Sequence, residues 1–244
     1  MDHQPSQSAA LLRVENLEFR YAHGPSDWAL RVPDLSLEGG VMYRLFGDNM
    51  SGKTTFLRIL TGSMSVATSV CRGHLAFGAK RLLVPPSPSQ AKRAGIAAVH
   101  QSDAMFPSLS TWDNVQVAAP SERDLRRRAE VRLWLDGQLR QLSPDLDSAR
   151  PLESLSGGAR AIVRLVRATV WGYRLLCLDE PTSNLDLENR RRWFEMLAAS
   201  WKSDKALVLV SHAREDHEQL RAIASARSAQ YRRLRLVRGT IAVE

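Results

Sequence analysis

Cysteine is nearly absent. Cys71 and Cys177 are the only two in 244 residues, too few and too far apart for a disulfide framework or a cysteine-based metal site, so both read as buried thiols. Long apolar runs are missing too: stretches such as Ala206–Val210 stop far short of the roughly 20 residues that cross a bilayer, which argues against a helical membrane span. The opening MDHQPSQSAA has no basic segment followed by an apolar one, so no secretory leader is expected and the chain is expected in the cytoplasm. Acidic residues are outnumbered, 26 against 34 basic ones, leaving a net charge of +8. That balance suits an anionic partner: a nucleotide, a phospholipid surface or nucleic acid.

What is present is material for a core, since 44% of the residues are hydrophobic and the length fits one large domain or two small ones. Residues 1–11 read as a flexible tail. Val14, Leu17, Phe19 and Tyr21 then show partly alternating strand-like patterning, and a second strand is predicted through Leu30 and Val32 to Leu37, ahead of Gly39-Gly40. Residues 41–46 read as a buried strand and 54–60 as a helix, with a glycine-bearing loop between them. VPPSPSQ at 84–90 marks a loop, and 96–99 a short strand. Leu125, Ala129 and Leu133 at helical spacing predict a helix within 121–141, a polar break follows at 143–151, and a further helix is predicted over 157–170. Residues 175–178 and 206–210 lack alternation, as strands covered on both faces do. Helices are predicted at about 187–201 and 214–224. The pattern implies an α/β fold with a mainly parallel sheet flanked by helices and a helical subdomain inserted at about 102–168.

Between the third strand and its helix lies Gly47-Asp48-Asn49-Met50-Ser51-Gly52-Lys53-Thr54-Thr55. A glycine, four free positions, Gly-Lys and a hydroxyl residue make the spacing of a phosphate loop. Backbone N–H groups wrap the phosphates there, the helix offers its positive end, the lysine reaches the β- and γ-phosphates, and the Thr54 hydroxyl binds Mg²⁺. Met50 occupies a free position and is expected to be tolerated, with strain of about 1–3 kcal/mol if its backbone is left-handed. The apolar run 175–178 ends in Asp179-Glu180. In a parallel sheet that end lies beside the loop, where Asp179 can hold Mg²⁺ directly or through water and Glu180 can orient or polarise an attacking water. A solvated strand end would carry the same letters; the neighbouring phosphate loop favours the catalytic reading.

With these residues the chain resembles the nucleotide-binding subunit of ATP-binding cassette (ABC) transporters over about 12–244, read as a single ATPase domain. Leu155-Ser156-Gly157-Gly158-Ala159 resembles the family's signature, ahead of a helix whose start would meet a γ-phosphate through Ser156 and backbone amides. By the same resemblance Gln101 sits where a glutamine contacts Mg²⁺ and the attacking water, and Ser183-Asn184-Leu185-Asp186 where a loop meets the opposite subunit. His212 matches the switch histidine that reaches the γ-phosphate, and Tyr21 the aromatic that stacks on adenine. Bland alternatives stand beside each: Tyr21 as a strand aromatic, His212 as a surface histidine, Gln101 as a polar loop residue. The resemblance implies a P-loop NTPase-like fold with an N-terminal antiparallel β portion, ATP and Mg²⁺ as ligands, and slow hydrolysis until a head-to-tail dimer closes. In that dimer each ATP lies between one subunit's phosphate loop and the other's signature. Ala159 stands where the family has glutamine, removing a polar side chain from the dimer face, and Met50 where it commonly has glycine.

Residues 87–115 resemble the segment found in sugar and nucleoside importers of the ribose and galactose type. The alternative within the family is a single-cassette exporter ATPase of the lipoprotein or macrolide type. Either implies a second ATPase subunit, identical or not, and separate membrane permeases that hold the chain at the cytoplasmic face; an importer also implies a substrate-binding protein. Permease helices are expected to dock near Gln101 and residues 102–114, where Met105, Phe106, Leu109 and Trp112 offer apolar contacts or else fill the helical subdomain's core. Arg221, Arg227, Arg232, Arg233, Arg235 and Arg238 keep a nucleic-acid role open as a minor reading. A solvated face is the plainer reading of these arginines, and no nucleic acid is expected. Glu180 speaks against a regulatory partner that binds ATP without cleaving it.

Overall fold

The computed structural model describes residues 10–22, 29–65, 67, 69–100, 105–119 and 126–244. Four strands make an antiparallel sheet in the order β2-β1-β4-β5: β1 (Ala10–Tyr21), β2 (Leu30–Glu38), β4 (Ser69–Phe77) and β5 (Lys80–Leu82). The second sheet runs β10-β9-β3-β8-β7-β6, with β3 (Val41–Phe46), β6 (Ile96–Val99), β7 (Leu175–Asp179), β8 (Ala206–Val210), β9 (Gln230–Val237) and β10 (Thr240–Val243). It is parallel from β9 across to β6, and only the β9–β10 hairpin is antiparallel. Among the described residues the helices are α1 (Lys53–Leu60), α2 (Pro88–Ala94), α3 (Thr111–Gln116), α4 (Arg128–Leu142), α5 (Gly157–Thr169), α6 (Leu187–Ser200) and α7 (Arg214–Ala226). None of them is long and apolar enough to cross a membrane.

Every residue of β7 and β8 is buried, as central strands covered on both faces require. Alternation along β3 sends Val41, Tyr43 and Leu45 into a core shared with the antiparallel sheet and α1, while Met42 enters a second core beneath α3 to α7. α5 fills that second core with Ile162, Val163, Leu165 and Val166 while Arg160 stays exposed.

Several expectations change. β1 begins at Ala10 with Leu11 buried, so the tail does not run to residue 11. Helix α4 buries Val131, Leu135 and Leu139, whereas Ala129 and Leu133 face solvent and Leu125 lies outside the described residues. The last three residues of the expected loop at 84–90 are helical: Ser87 caps α2, accepting from the Gln90 N–H at 3.2 Å while the Gln90 side chain accepts in return from the Ser87 N–H. β9 and β10 were not legible as strands, because β9 alternates leucine with arginine. Its Arg232 is tied bidentately to Glu38 at 2.6 and 3.1 Å, and Arg233 meets Glu244 at 2.9 Å.

Candidate functional site

β3 delivers the loop. Gly47 passes so close beneath β9 that a Cβ there would lie 2.1 Å from the Leu236 carbonyl oxygen, which is why no larger residue fits. Met50 follows at φ 62°, left-handed, with its side chain fully exposed; the strain anticipated for that geometry applies, and nothing of its side chain enters the loop. Gly52, at φ 105°, caps α1 without any side-chain bond. The caps of α2, α3, α5 and α6 contrast with it, since Ser87, Ser110, Ser156 and Asp186 each accept a backbone N–H there. The first N–H groups of α1 therefore have neither an intrahelical acceptor nor a side-chain cap.

In front of that bare end lies a cavity of about 650 Å³ lined by Tyr21, Asn49, Met50, Ser51, Gly52, Lys53, Thr54, Thr55, Asp179, Glu180, Ser183 and His212, among others. Lys53 donates to the Gly47 and Asp48 carbonyls, both at 2.8 Å. Burial lowers its pKa, opposed by the charges of Glu180, Asp179 and Asp48. The Thr54 hydroxyl donates to Asp179 Oδ1 at 3.2 Å, so the helix start and the end of β7 meet. Glu180, just past β7, is left-handed at φ 49°, and its Oε1 lies 3.7 Å from His212 Nε2. Burial pushes the Glu180 pKa up; His212 pulls it down, and Asp179 and Asp216 add to the rise. Tyr21 bonds Thr55 through the two hydroxyls at 2.9 Å and packs edge-on against Phe19.

The residues fit a magnesium-bound polyphosphate. Ser51 Oγ and Glu180 Oε1 are buried without a hydrogen-bond partner, in a cavity where main-chain donors also wait. Thr54 and Asp179 supply hard oxygen ligands, and no cluster of three or more metal-ligating side chains exists among the described residues. A site of that kind suits Mg²⁺, which is normally completed by water and substrate phosphates rather than by an all-protein cage.

One expected group is not brought to this cavity, and another, Gln101, lies outside the described residues. Ser156, Gly157 and Gly158 open α5 and do not line the cleft. Gly158 packs on α6 instead, where a Cβ would stand 2.3 Å from the Asn189 side chain, the group that bonds the Asp186 cap. Ala159 is 2% exposed and packs in the second core.

A family profile described as ABC transporter matches residues 30–183. The chain belongs to the ABC transporter family. Among curated relatives, the arabinose import ATP-binding protein AraG of Ralstonia nicotianae is 31% identical over 77% of this chain and 36% of its own length. The ribose import ATP-binding protein RbsA 1 of Rhizobium etli is 27% identical over 88% and 41%. The Fe(3+) ions import ATP-binding protein FbpC 1 of Rhizobium meliloti is 38% identical over 66% and 43%. The chain thus spans about two-fifths of the length of these relatives. A crystal structure of a nucleotide-free ATP-binding cassette from an ABC transporter shares the fold, with a TM-score of 0.69 at 19% identity over 95% of this chain and 89% of that one.

In this ABC transporter chain the sequence missed the support beneath Glu180 and His212. Asp216, fully buried, accepts from the Thr182 hydroxyl at 2.5 Å and the Ser211 hydroxyl at 2.7 Å and pairs with Arg190 at 3.6 Å. His217 Nε2 meets the Ser211 carbonyl at 2.8 Å, and burial lowers its pKa. The signal was available: Asp216 shares a stripe with Leu220, Ile223 and Ala224 on α7, a buried helical face.

Proposed function

We propose that this chain binds and hydrolyses ATP as the energising subunit of an importer, working through separate membrane subunits. The observation that carries the reading is the uncapped start of α1, with Lys53 and Thr54 facing Asp179 and Glu180 across one cavity. ATP would seat its phosphates on the loop amides and Lys53, with Tyr21 at the rim for the base. Magnesium, held by Thr54 and Asp179 with phosphate oxygens, would neutralise charge on the leaving phosphates. Glu180 orients a water and takes its proton as the water oxygen bonds the γ-phosphorus and the bond to the β–γ bridging oxygen breaks, leaving ADP and orthophosphate. Burial raises the affinity of Glu180 for that proton, which suits a base. His212, 3.7 Å from Glu180, would follow the γ-phosphate.

The distance in the fold between Ser156 and the cleft supports a second subunit that supplies its own signature to this loop. A groove of about 580 Å³ between α2 and α5, lined by Arg58, Lys92, Phe106, Arg164 and Arg167 among others, suits the permease contact. Phe106 is exposed in that groove and Leu109 is exposed outside it, while Trp112 is buried against Trp171, so the expected docking segment divides between surface and core. A sugar-like cargo follows the arabinose and ribose relatives. The ferric relative favours a second reading with the same cassette serving a different solute.

The test is retention and turnover of labelled ATP by the full chain with Mg²⁺, alone and with its permease. Wild type is expected to bind and turn over ATP, and Lys53→Ala to lose affinity. Unchanged binding and turnover in Lys53→Ala would remove the assignment.

A further inference from the structure

A second cavity, about 310 Å³, borders the start of the phosphate loop and is lined by Arg44, Phe46, Gly47, Asp48, Lys53, Ser211, His212, Arg235 and Val237. Its walls carry two arginines and Lys53 against one carboxylate, Asp48. Lys53 and His212 line both this compartment and the nucleotide cleft, so the two adjoin there.

Arg44 is the unexplained group. It makes no ion pair among the described residues, and its Nε is buried without a hydrogen-bond acceptor. Its guanidinium sits 5.3 Å from the centre of the Phe46 ring, with that of Arg233 4.7 Å from the same ring. Arg233 is held by Glu244 at 2.9 Å, whereas Arg235 reaches the same carboxylate only at 3.7 Å and keeps a half-exposed side chain. Guanidinium donors left without acceptors in a cavity of this size suit a small oxyanion, which would satisfy them with charge-assisted bonds. The volume is ample for a tetrahedral anion and several waters, given about 30 Å³ for each water.

We propose that this compartment is a second oxyanion site, which takes orthophosphate as it leaves the nucleotide cleft past Lys53 and His212. Arg44 and Arg235 are its ligands; Asp48, exposed at the rim, opposes binding and favours eventual release. The exit role rests on the ATPase reading, whereas the presence of the site does not.

The test titrates inorganic phosphate into the full chain, nucleotide-free and saturated with ADP, by calorimetry. Wild type is expected to take up phosphate in both states. Arg44→Ala and the more exposed Arg235→Ala are expected to weaken that uptake about tenfold each, the effect of losing one charge-assisted bond, while keeping wild-type ADP affinity. Phosphate affinity unchanged in both variants, or uptake abolished by ADP, would place the anion in the loop itself and overturn the proposal. Rapid-quench cleavage compared with fluorescent phosphate release then separates the sources. Slower release after unchanged cleavage in Arg44→Ala supports the exit role; identical release would leave only phosphate from solution and overturn that role. If wild type retains no nucleotide, the reading of the cleft fails on that arm alone, and Arg44-dependent uptake in nucleotide-free protein still decides the site.

Discussion

Met50 and Glu180 are the two non-glycine residues of the cleft held at positive φ, 62° and 49°. Strain of about 1–3 kcal/mol at such residues is common where backbone geometry serves a site. Met50→Gly removes the Cβ conflict but loosens the unfolded chain, so a net gain of about 0.5–1 kcal/mol is expected in chemical denaturation, with ATP affinity unchanged. Glu180→Gln is expected to lower turnover by about 10²–10⁴-fold while nucleotide still binds, measured by phosphate release beside equilibrium retention. The same variant has a signature in stability. Because the folded pKa of Glu180 is raised above its unfolded value of 4.5, folding binds an extra proton in the window just above 4.5 and loses stability as pH rises through the folded value. Glu180→Gln should flatten that decline and melt higher than wild type at neutral pH. Lys53, Thr54, Asp179 and Glu180 were legible because loop and strand-end chemistry depends on spacing along the chain. Arg44 was not, since nothing local marks a cation whose neighbours arrive from β9.

At the scale of elements, the cleft floor depends on α7 meeting the ends of β7 and β8. Asp216→Ala leaves the largely buried Arg190 with only the exposed Glu215 at 3.6 Å and strips two hydroxyls of their acceptor, so a loss of about 1–3 kcal/mol is expected in denaturant unfolding. Glu215→Ala, at the exposed neighbour, should change stability by less than about 0.5 kcal/mol. Gly158→Ala would drive a methyl into Asn189 and disturb the Asp186 cap of α6; an earlier thermal transition is expected. The central strands and α5 to α7 could be read from apolar runs and helical spacing. β9, the strand beside β3, was hidden because its outward residues are arginines that read as a basic surface until Glu38 and Glu244 are seen beside them. β4 was hidden by Gly73 in mid-strand and weak alternation, and α4 was placed correctly but on the wrong stripe.

For the whole molecule, the two expected contacts to a γ-phosphate lie on separate parts of one chain, the α1 start and the α5 start. Two chains arranged head to tail would satisfy both, so ATP is expected to drive association of Glu180→Gln protein that stays monomeric with ADP, as read by light scattering. A mass independent of nucleotide would count against the sandwich. The parallel sheet also acts as a wall between two separately filled cores, one under the antiparallel strands and one under α3 to α7. Each side can therefore slacken without emptying the other. Thinning the first, as Phe19→Ala would, should speed amide exchange in β1, β2, β4 and α1 while α5, packed in the second, keeps its protection, so a disturbance of the antiparallel strands reaches the phosphate loop through α1 before it reaches the far helices.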